Sequence, residues 1–237
     1  MNEKLADIIV PVYNEAEILP QFFRRVRSLK LFSQLRFVFV DNSSNDNSIE
    51  LIRTFRKTSP QSVLIQHNKN EGYGASLIDG MKAAITENVI IIDADCEYPP
   101  EAITDIIDAL QQYEVVYTSR FLNKHDAKSI GMPLLKWLGN IIITGLFNLI
   151  FAQQTSDLYT GCKGIKTRLV QSMPFQRKGF EHVLELAVRL SVRGYRIVDI
   201  PVDFSLRTGG QSKMQHVSDT LKYLILLIYY AITRKNM

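Results

Sequence analysis

Two carboxylates separated by one residue, Asp93-Ala94-Asp95, close the apolar run Val89-Ile90-Ile91-Ile92. Such a run reads as a buried parallel strand, and acidic side chains at its carboxyl end have little structural work to do there. One intervening residue lets both carboxylates reach a single divalent cation, and a hard cation with oxygen ligands suits a diphosphate. The plainer alternative is a solvated turn at a strand end. Three further polar clusters follow apolar runs in the same way. Tyr13-Asn14-Glu15 follows Ile8-Ile9-Val10-Pro11-Val12, Asp41-Asn42 follows Phe37-Val38-Phe39-Val40, and Asn68-Lys69-Asn70-Glu71-Gly72-Tyr73-Gly74 follows Val63-Leu64-Ile65. Tyr13 and Glu15 offer a ring to pack a base and a carboxylate for a ribose hydroxyl pair, while 41–46 offers base-edge donors and acceptors. Singly, Glu15 is equally an acid favoured at a helix N-terminus, and 41–46 is equally a cap. Taken together, all four clusters fall where parallel sheets bind ligands, and they point to a nucleotide site.

The elements that must position these groups alternate. Strands at 8–12, 37–40, 63–65, 89–92 and 115–117 are separated by helices at about 15–31, from Asn47 with Glu50 at capping-box spacing, from the 68–74 turn to about Ile85, and after Pro99-Pro100. This order predicts a parallel sheet covered on both faces. The later part is less regular. Residues 137–152 are almost wholly apolar, with Asn140, Thr144 and Asn148 every fourth residue, which on a helix form one narrow stripe. That stretch falls short of the ~20 residues that span a bilayer, so it reads as an interfacial helix or a core helix. A second apolar run, 221–232, carries tyrosines and a basic end suited to a headgroup region.

At 237 residues and 46% apolar content the chain can bury a sizeable core as one domain. We expect a domain over 1–214, including the 130–152 apolar helix, and a C-terminal helix over 215–237. Two cysteines, Cys96 and Cys162, make no disulfide framework and fit a reducing compartment. The first residues enter a strand at once and lack the profile of a signal peptide. Residues 1–160 carry 15 Lys/Arg against 19 Asp/Glu, whereas 161–237 carry 13 against 5. The basic C-terminal third suits an anionic lipid surface or a phosphorylated substrate. No nucleic-acid-binding signature accompanies it, so nucleic acid is not an expected partner.

The ordered segments resemble family-2 glycosyltransferases of the GT-A fold, and among them the polyprenyl-phosphate (dolichol-phosphate) mannosyl- and glucosyltransferases. The matching residues are Ile9 to Glu15, Val40 to Asp46, Asn68 to Ala75, Asp93-Ala94-Asp95-Cys96-Glu97-Tyr98-Pro99-Pro100-Glu101, Ser119-Arg120-Phe121, 157–164 and 204–213. The resemblance implies an α/β, GT-A type nucleotide-sugar-binding fold, a mostly parallel sheet flanked by helices, with C-terminal amphipathic membrane-surface helices. It implies that Pro11, Tyr13, Glu15, Val40, Asp41 and Asn42 hold the nucleoside. Asp93, Ala94 and Asp95 would serve the donor diphosphate, and Asp93, Asp95 and Glu97 would be the ligand set for Mg²⁺ or Mn²⁺. Arg207 and Lys213 would close over the diphosphate, and Arg120, Lys128 and Lys136 would meet the acceptor phosphate. The chain departs from the pattern where Asn42 replaces a frequent Asp, where Glu97 replaces a frequent Gln, and in the thinly basic acceptor segment 131–140.

The implied reaction is metal-dependent, inverting transfer of a hexose from GDP-mannose or UDP-glucose class donors to a dolichyl or undecaprenyl phosphate. It would run on the cytoplasmic side of a membrane, with an integral-membrane partner subunit possible. The alternative acceptor is a sugar hydroxyl in cell-surface polysaccharide synthesis. A hydroxyl needs a base, and Asp157 is the candidate, or else a turn cap before Thr160-Gly161. The catalytic expectation therefore rests on Asp95, Arg120 and Asp157. A nucleotidyltransferase is disfavoured because no Gly-rich basic phosphate loop follows the first strand. A non-catalytic membrane adaptor would leave the acidic and basic clusters unexplained.

Overall fold

A computed structural model describes residues 4–123, 131–205 and 216–234, with side chains from 222 onward in the last segment. The central strands β1 (Ala6–Val12), β2 (Leu35–Asp41) and β4 (Asn88–Ile91) are mainly apolar because both of their faces are covered, and their polar residues, Asp7 with its partner Arg36, Asn88 and Asp41, fall at or next to the strand ends. Alternate residues feed two separate cores. Ile8, Val10, Phe37, Phe39 and Ile90 face one, and Ile9, Val38, Val40, Val89 and Ile91 face the other. Helices α1 (Leu19–Arg27), α2 (Ser48–Thr58) and α4 (Ala102–Ala109) cover the first core. The second is covered by α3 (Tyr73–Lys82), α5 (Leu134–Phe151), α7 (His182–Val192) and α8 (His216–Thr233).

With β3 (Val63–Gln66), β5 (Val115–Ser119), β6 (Lys163–Lys166) and β7 (Val198–Pro201), the sheet has seven strands in the order β3-β2-β1-β4-β6-β5-β7. All neighbours are parallel except β6, which runs antiparallel to β4 and β5. The chain winds outward from β1 through β2 to β3 and then returns to β4 on the other side of β1. That reversal makes a topological switch point between the ends of β1 and β4, the place where open α/β sheets bind ligands.

The sequence reading places β1 to β5 but misses β6, β7, α7 and the short helix α6 (Thr167–Val170). Two further expectations are corrected. The capping box does not form. Asn47 makes no side-chain cap, Glu50 pairs instead with Arg53, and Asp46 Oδ1 accepts the Ser48 N–H at 2.9 Å. The apolar helix has 18 residues, starting after Pro133, and among the described residues it is the one helix long and apolar enough to cross a membrane by length and composition. Its polar stripe points inward, as shown below. Helix α8 packs on α5 and α7 through Tyr223, Leu226, Leu227 and Tyr230, so it belongs to the second core.

Candidate active site

The ends of β1 and β2 are zipped together by short polar side chains. Asn42 N–H donates to Val12 O at 2.8 Å, Asn14 N–H to Ser44 Oγ at 2.9 Å, and Glu15 N–H to Ser48 Oγ at 2.9 Å. Asn45 N–H donates to Asn14 Oδ1 and Ala16 N–H to Asp46 Oδ2, each at 2.9 Å. The sharp turns need a left-handed backbone at Asn14 (φ 54) and Ser43 (φ 67), which asparagine tolerates better than most residues. This lacing spends the small polar groups on structure and leaves Pro11, Tyr13 and Glu15 half-buried along the edge. The Val40 side chain, expected at the donor, lies wholly in the second core.

Asp41 and Asn42 divide the work. Asp41 is buried, with Oδ2 accepting the Ser44 N–H at 3.1 Å and Oδ1 lacking a partner. A buried carboxylate oxygen left unpaired costs more than a hydrogen bond returns, so Oδ1 is an acceptor open to an N–H or O–H donor. Asn42 is consumed internally. Its Oδ1 accepts the Glu71 N–H at 2.8 Å and lies 3.0 Å from His67 Nδ1, while Nδ2 donates to Asn70 Oδ1 at 2.9 Å. The Asn42 side chain thus clasps the 67–72 loop, and Asp41 holds the open acceptor.

At the end of β4, Ile92 N–H still bonds Ile9 O at 3.1 Å, and the chain then turns through Cys96 at φ 59. Asp93 accepts the Tyr73 hydroxyl on Oδ1 at 2.9 Å. Its Oδ2 lies over Gly161, where an added Cβ would come within 2.6 Å of it and 3.0 Å of Tyr98 Cε2, so a larger residue there would displace the carboxylate. Asp95 Oδ1 accepts the Glu97 N–H at 3.0 Å, and Glu97 O accepts the Ser205 N–H at 3.0 Å. Burial, then the neighbouring Asp95 charge, push Asp93 up to about 8 against the Tyr73 hydrogen bond. On β6, opposite Ile91 of β4, Lys163 is buried with Nζ 4.6 Å from the Tyr117 ring centre, and burial pulls it down to about 8.

The crowding of Asp93 by Asp95 is the mark of a turn short of positive charge, and hard oxygen donors fit Mg²⁺ or Mn²⁺. No three ligand side chains among the described residues already converge as a cage. The expected trio Asp93, Asp95 and Glu97 is therefore not gathered as a ligand set by side chains alone. A proton on Asp93 would compete with a cation held there, so the affinity of such a site for Mn²⁺ should strengthen as pH rises from about 6 to about 9, with proton release on binding. Titration calorimetry in buffers of different ionisation heat measures this. A pH-independent affinity without proton release would contradict it.

The third cluster joins β5 to α5. Arg120 grips Asp157 with Nε to Oδ2 at 2.6 Å and Nη2 to Oδ1 at 2.7 Å, and both residues are buried. Asp157 also accepts the Arg120 N–H at 3.2 Å and Asn140 Nδ2 at 3.2 Å. The Asn140–Thr144–Asn148 stripe thus faces the domain: Thr144 Oγ1 donates to Asn140 Oδ1 at 2.9 Å and Asn148 Nδ2 to Thr155 O at 2.7 Å. The guanidinium is walled by the Phe121, Phe204 and Tyr98 rings, at 5.5, 5.4 and 5.9 Å. The Asp157 charge holds Arg120 protonated against its burial. Lys136, half-buried, is lowered by burial and by Arg120, while Glu97, Asp157 and Asp95 oppose that shift, so it sits in the field of both clusters. Lys128, Arg207 and Lys213 lie outside the described residues. Sequence reasoning missed Tyr73, His67, Gly161 and Lys163, whose partners are distant along the chain.

A mostly parallel sheet with a switch point between β1 and β4, an acidic turn after β4 and a buried acceptor at the end of β2 is the layout of a doubly wound α/β domain. Residues 7–173 match the family model Glycosyl transferase family 2. The chain is 26% identical to a dolichol-phosphate mannosyltransferase of Pyrococcus furiosus over 211 residues, covering 88% of this chain and 58% of that protein. It is 34% identical over 235 residues to an undecaprenyl-phosphate 4-deoxy-4-formamido-L-arabinose transferase of Pectobacterium atrosepticum, covering 97% and 67%. Its fold is similar to a mannosyltransferase from Pyrobaculum calidifontis solved in complex with GDP-Man and Mn²⁺. That likeness has a TM-score of 0.65 and 16% identity, over 98% of this chain and 65% of the other. The fold is of the GT-A type, and the chain belongs to glycosyl transferase family 2.

Proposed function

We propose that this chain is a metal-dependent inverting glycosyltransferase that moves a hexose from a nucleotide sugar to a polyprenyl phosphate at a membrane surface. The observation that carries the reading is the pair of crowded carboxylates, Asp93 and Asp95, at the switch point, with the unpaired Asp41 Oδ1 at the end of β2 on the same edge of the sheet. That oxygen accepts a ring N–H, which uracil and guanine present and adenine and cytosine do not. Donors of the GDP-mannose or UDP-glucose class follow. The ribose packs between Tyr13 and Glu15 over Pro11, and Ala94 keeps the turn narrow beside the diphosphate.

Asp95 and Glu97, with Asp93 beside them, would hold Mg²⁺ or Mn²⁺ together with the donor. The cation's contribution is charge neutralisation of the departing nucleoside diphosphate. Arg207 and Lys213 are assigned to close over the diphosphate, fixed cations being most effective where charge develops. The acceptor approaches C1 from the face opposite the leaving group. A phosphate oxygen is already anionic at neutral pH and needs no base, and Lys136, backed by Arg120 and with Lys128 upstream, would steer it. A sugar-hydroxyl acceptor is the weaker reading, because every lone-pair direction of the candidate base Asp157 is engaged by Arg120 and Asn140. The relatives whose names specify polyprenyl-phosphate acceptors support the same choice.

The lipid end is assigned to α5 and α8, which pack together and expose Leu134, Leu135, Ile142 and Leu149 on one, and Ile225, Ile228 and Ile232 on the other. With its polar stripe bound to the domain, α5 lies on the membrane, on the cytoplasmic side, and the same apolar faces could seat an integral-membrane partner. At ~1.5–3 kcal/mol per buried aliphatic side chain, replacing Ile142 and Ile228 by Glu should weaken partitioning onto anionic phospholipid vesicles about tenfold or more in flotation assays. Unchanged flotation would remove these faces from the membrane contact. The donor assignment is tested by thermal-shift titration with GDP- and UDP-sugars, with and without Mn²⁺. One nucleotide class should stabilise the protein in proportion to the logarithm of its concentration, and more so with Mn²⁺. No stabilisation by either class would overturn the reading.

A further inference from the structure

We propose that Tyr73 is a positioning residue that aims the Asp93 carboxylate, and that the loop between α6 and α7 is the seat that holds Tyr73 in place. The inference rests on the donor-site reading above and adds a residue to it.

Tyr73 is the first residue of α3, following Gly72 at φ 101. Its hydroxyl donates to Asp93 Oδ1 at 2.9 Å, and burial and the Asp93 charge raise it well above its ordinary value, so it stays a neutral donor. Its ring stacks on Phe180, with centroids 5.0 Å apart and planes 18° from parallel. The two strands of chain on either side of that stack leave no slack. A Cβ at Gly72 would lie 2.3 Å from Lys178 O, and one at Gly74 would lie 2.5 Å from His182 Cβ. Ala75 N–H donates to Lys178 O at 3.0 Å, and Lys178 pairs with Glu71 at 3.0 Å.

The seat is anchored in turn. Glu185, fully buried on α7, accepts the Gln176 N–H at 2.9 Å and the Arg177 N–H at 2.8 Å, and takes Arg189 Nε at 2.9 Å. A buried carboxylate gathering two backbone N–H groups and a guanidinium fixes a loop that has no regular structure of its own. The consequence is geometric. With Tyr73 on Oδ1 and Gly161 closing in under Oδ2, the Asp93 carboxylate has one orientation relative to Asp95. Close placement of a charged group by a locked neighbour is what a cation-and-diphosphate site requires.

The test is Tyr73→Phe, which keeps the ring stack and removes only the hydroxyl, measured by Mn²⁺ titration of the full chain in the presence of UDP or GDP, whichever the unmodified protein binds. Losing one hydrogen bond to a charged group corresponds to a roughly tenfold weaker Mn²⁺ affinity, with the melting temperature of the ligand-free protein lowered by no more than about 6 °C. In an Asp93→Asn background the same change should have no further effect on Mn²⁺ affinity, because Tyr73 acts through Asp93. Phe180→Leu should reproduce part of the loss by loosening the seat. Unchanged Mn²⁺ affinity in Tyr73→Phe, an equal loss in the Asp93→Asn background, or a large fall in melting temperature with normal affinity would each overturn the proposal. If the unmodified protein binds neither nucleotide, it is the donor-site reading that fails.

Discussion

Asp95→Ala should abolish cation-dependent transfer, lowering it by about 10³-fold, the scale seen when a fixed charge-stabilising group is removed from a site where charge develops. The fold should survive. Asp95 is half-buried in a turn, and its Oδ1 caps the Glu97 N–H, a hydrogen bond worth ~1 kcal/mol. The melting temperature should therefore fall by no more than about 4 °C. Donor hydrolysis and sugar transfer, each measured with and without Mn²⁺, check this. A variant with full activity would remove Asp95 from the mechanism, and one that fails to fold would show that the turn is structural.

Asp157→Asn should damage stability more than any substitution in the acidic turn. Asp157 has no exposed surface and is the counter-charge of Arg120, itself 6% exposed and walled by three aromatic rings. Removing one partner of a buried ion pair leaves an uncompensated charge, at ~3–5 kcal/mol. Denaturant midpoints should show that loss in Asp157→Asn, and a smaller one when Arg120→Met is combined with Asp157→Leu. Loss of transfer should also be equal for phosphate and hydroxyl acceptors, because the side chain acts by holding Arg120. Near-normal stability of Asp157→Asn with selective loss of a hydroxyl acceptor would restore Asp157 as a base.

Much of this site was legible in the sequence because its scaffold is simple there. Strands buried on both faces, such as Phe37-Val38-Phe39-Val40 and Val89-Ile90-Ile91-Ile92, leave polar residues nowhere to go but the ends, and the ends are the ligand edge. Strand β6 was hidden for the opposite reason. Lys163-Gly164-Ile165-Lys166 looks like a turn, yet Lys163 is buried above Tyr117, and Gly164 is required because a Cβ there would lie 2.2 Å from Ile106. Strand β7, ending at Pro201, is an edge strand whose Asp199 is engaged by Thr155 and Ser156 across 44 and 43 residues of sequence.

The roles of individual side chains were less legible than their positions. The Asn140–Thr144–Asn148 spacing announces a stripe, but only the fold shows that the stripe faces Asp157 and Thr155. Asn42 stands where a base would be read, and its amide is instead spent on His67, Asn70 and Glu71. Tyr73 meets Asp93 and Phe180 across chain separations that no local pattern encodes.

The central claim is tested most directly by incubating the protein with radiolabelled GDP-mannose or UDP-glucose, Mn²⁺ and a polyprenyl phosphate in detergent, then extracting with organic solvent. Label should enter the organic phase as a lipid-linked sugar from one nucleotide class, and the signal should vanish on chelation. Label that stays wholly in the aqueous phase, or moves equally well without a divalent cation, would contradict the account.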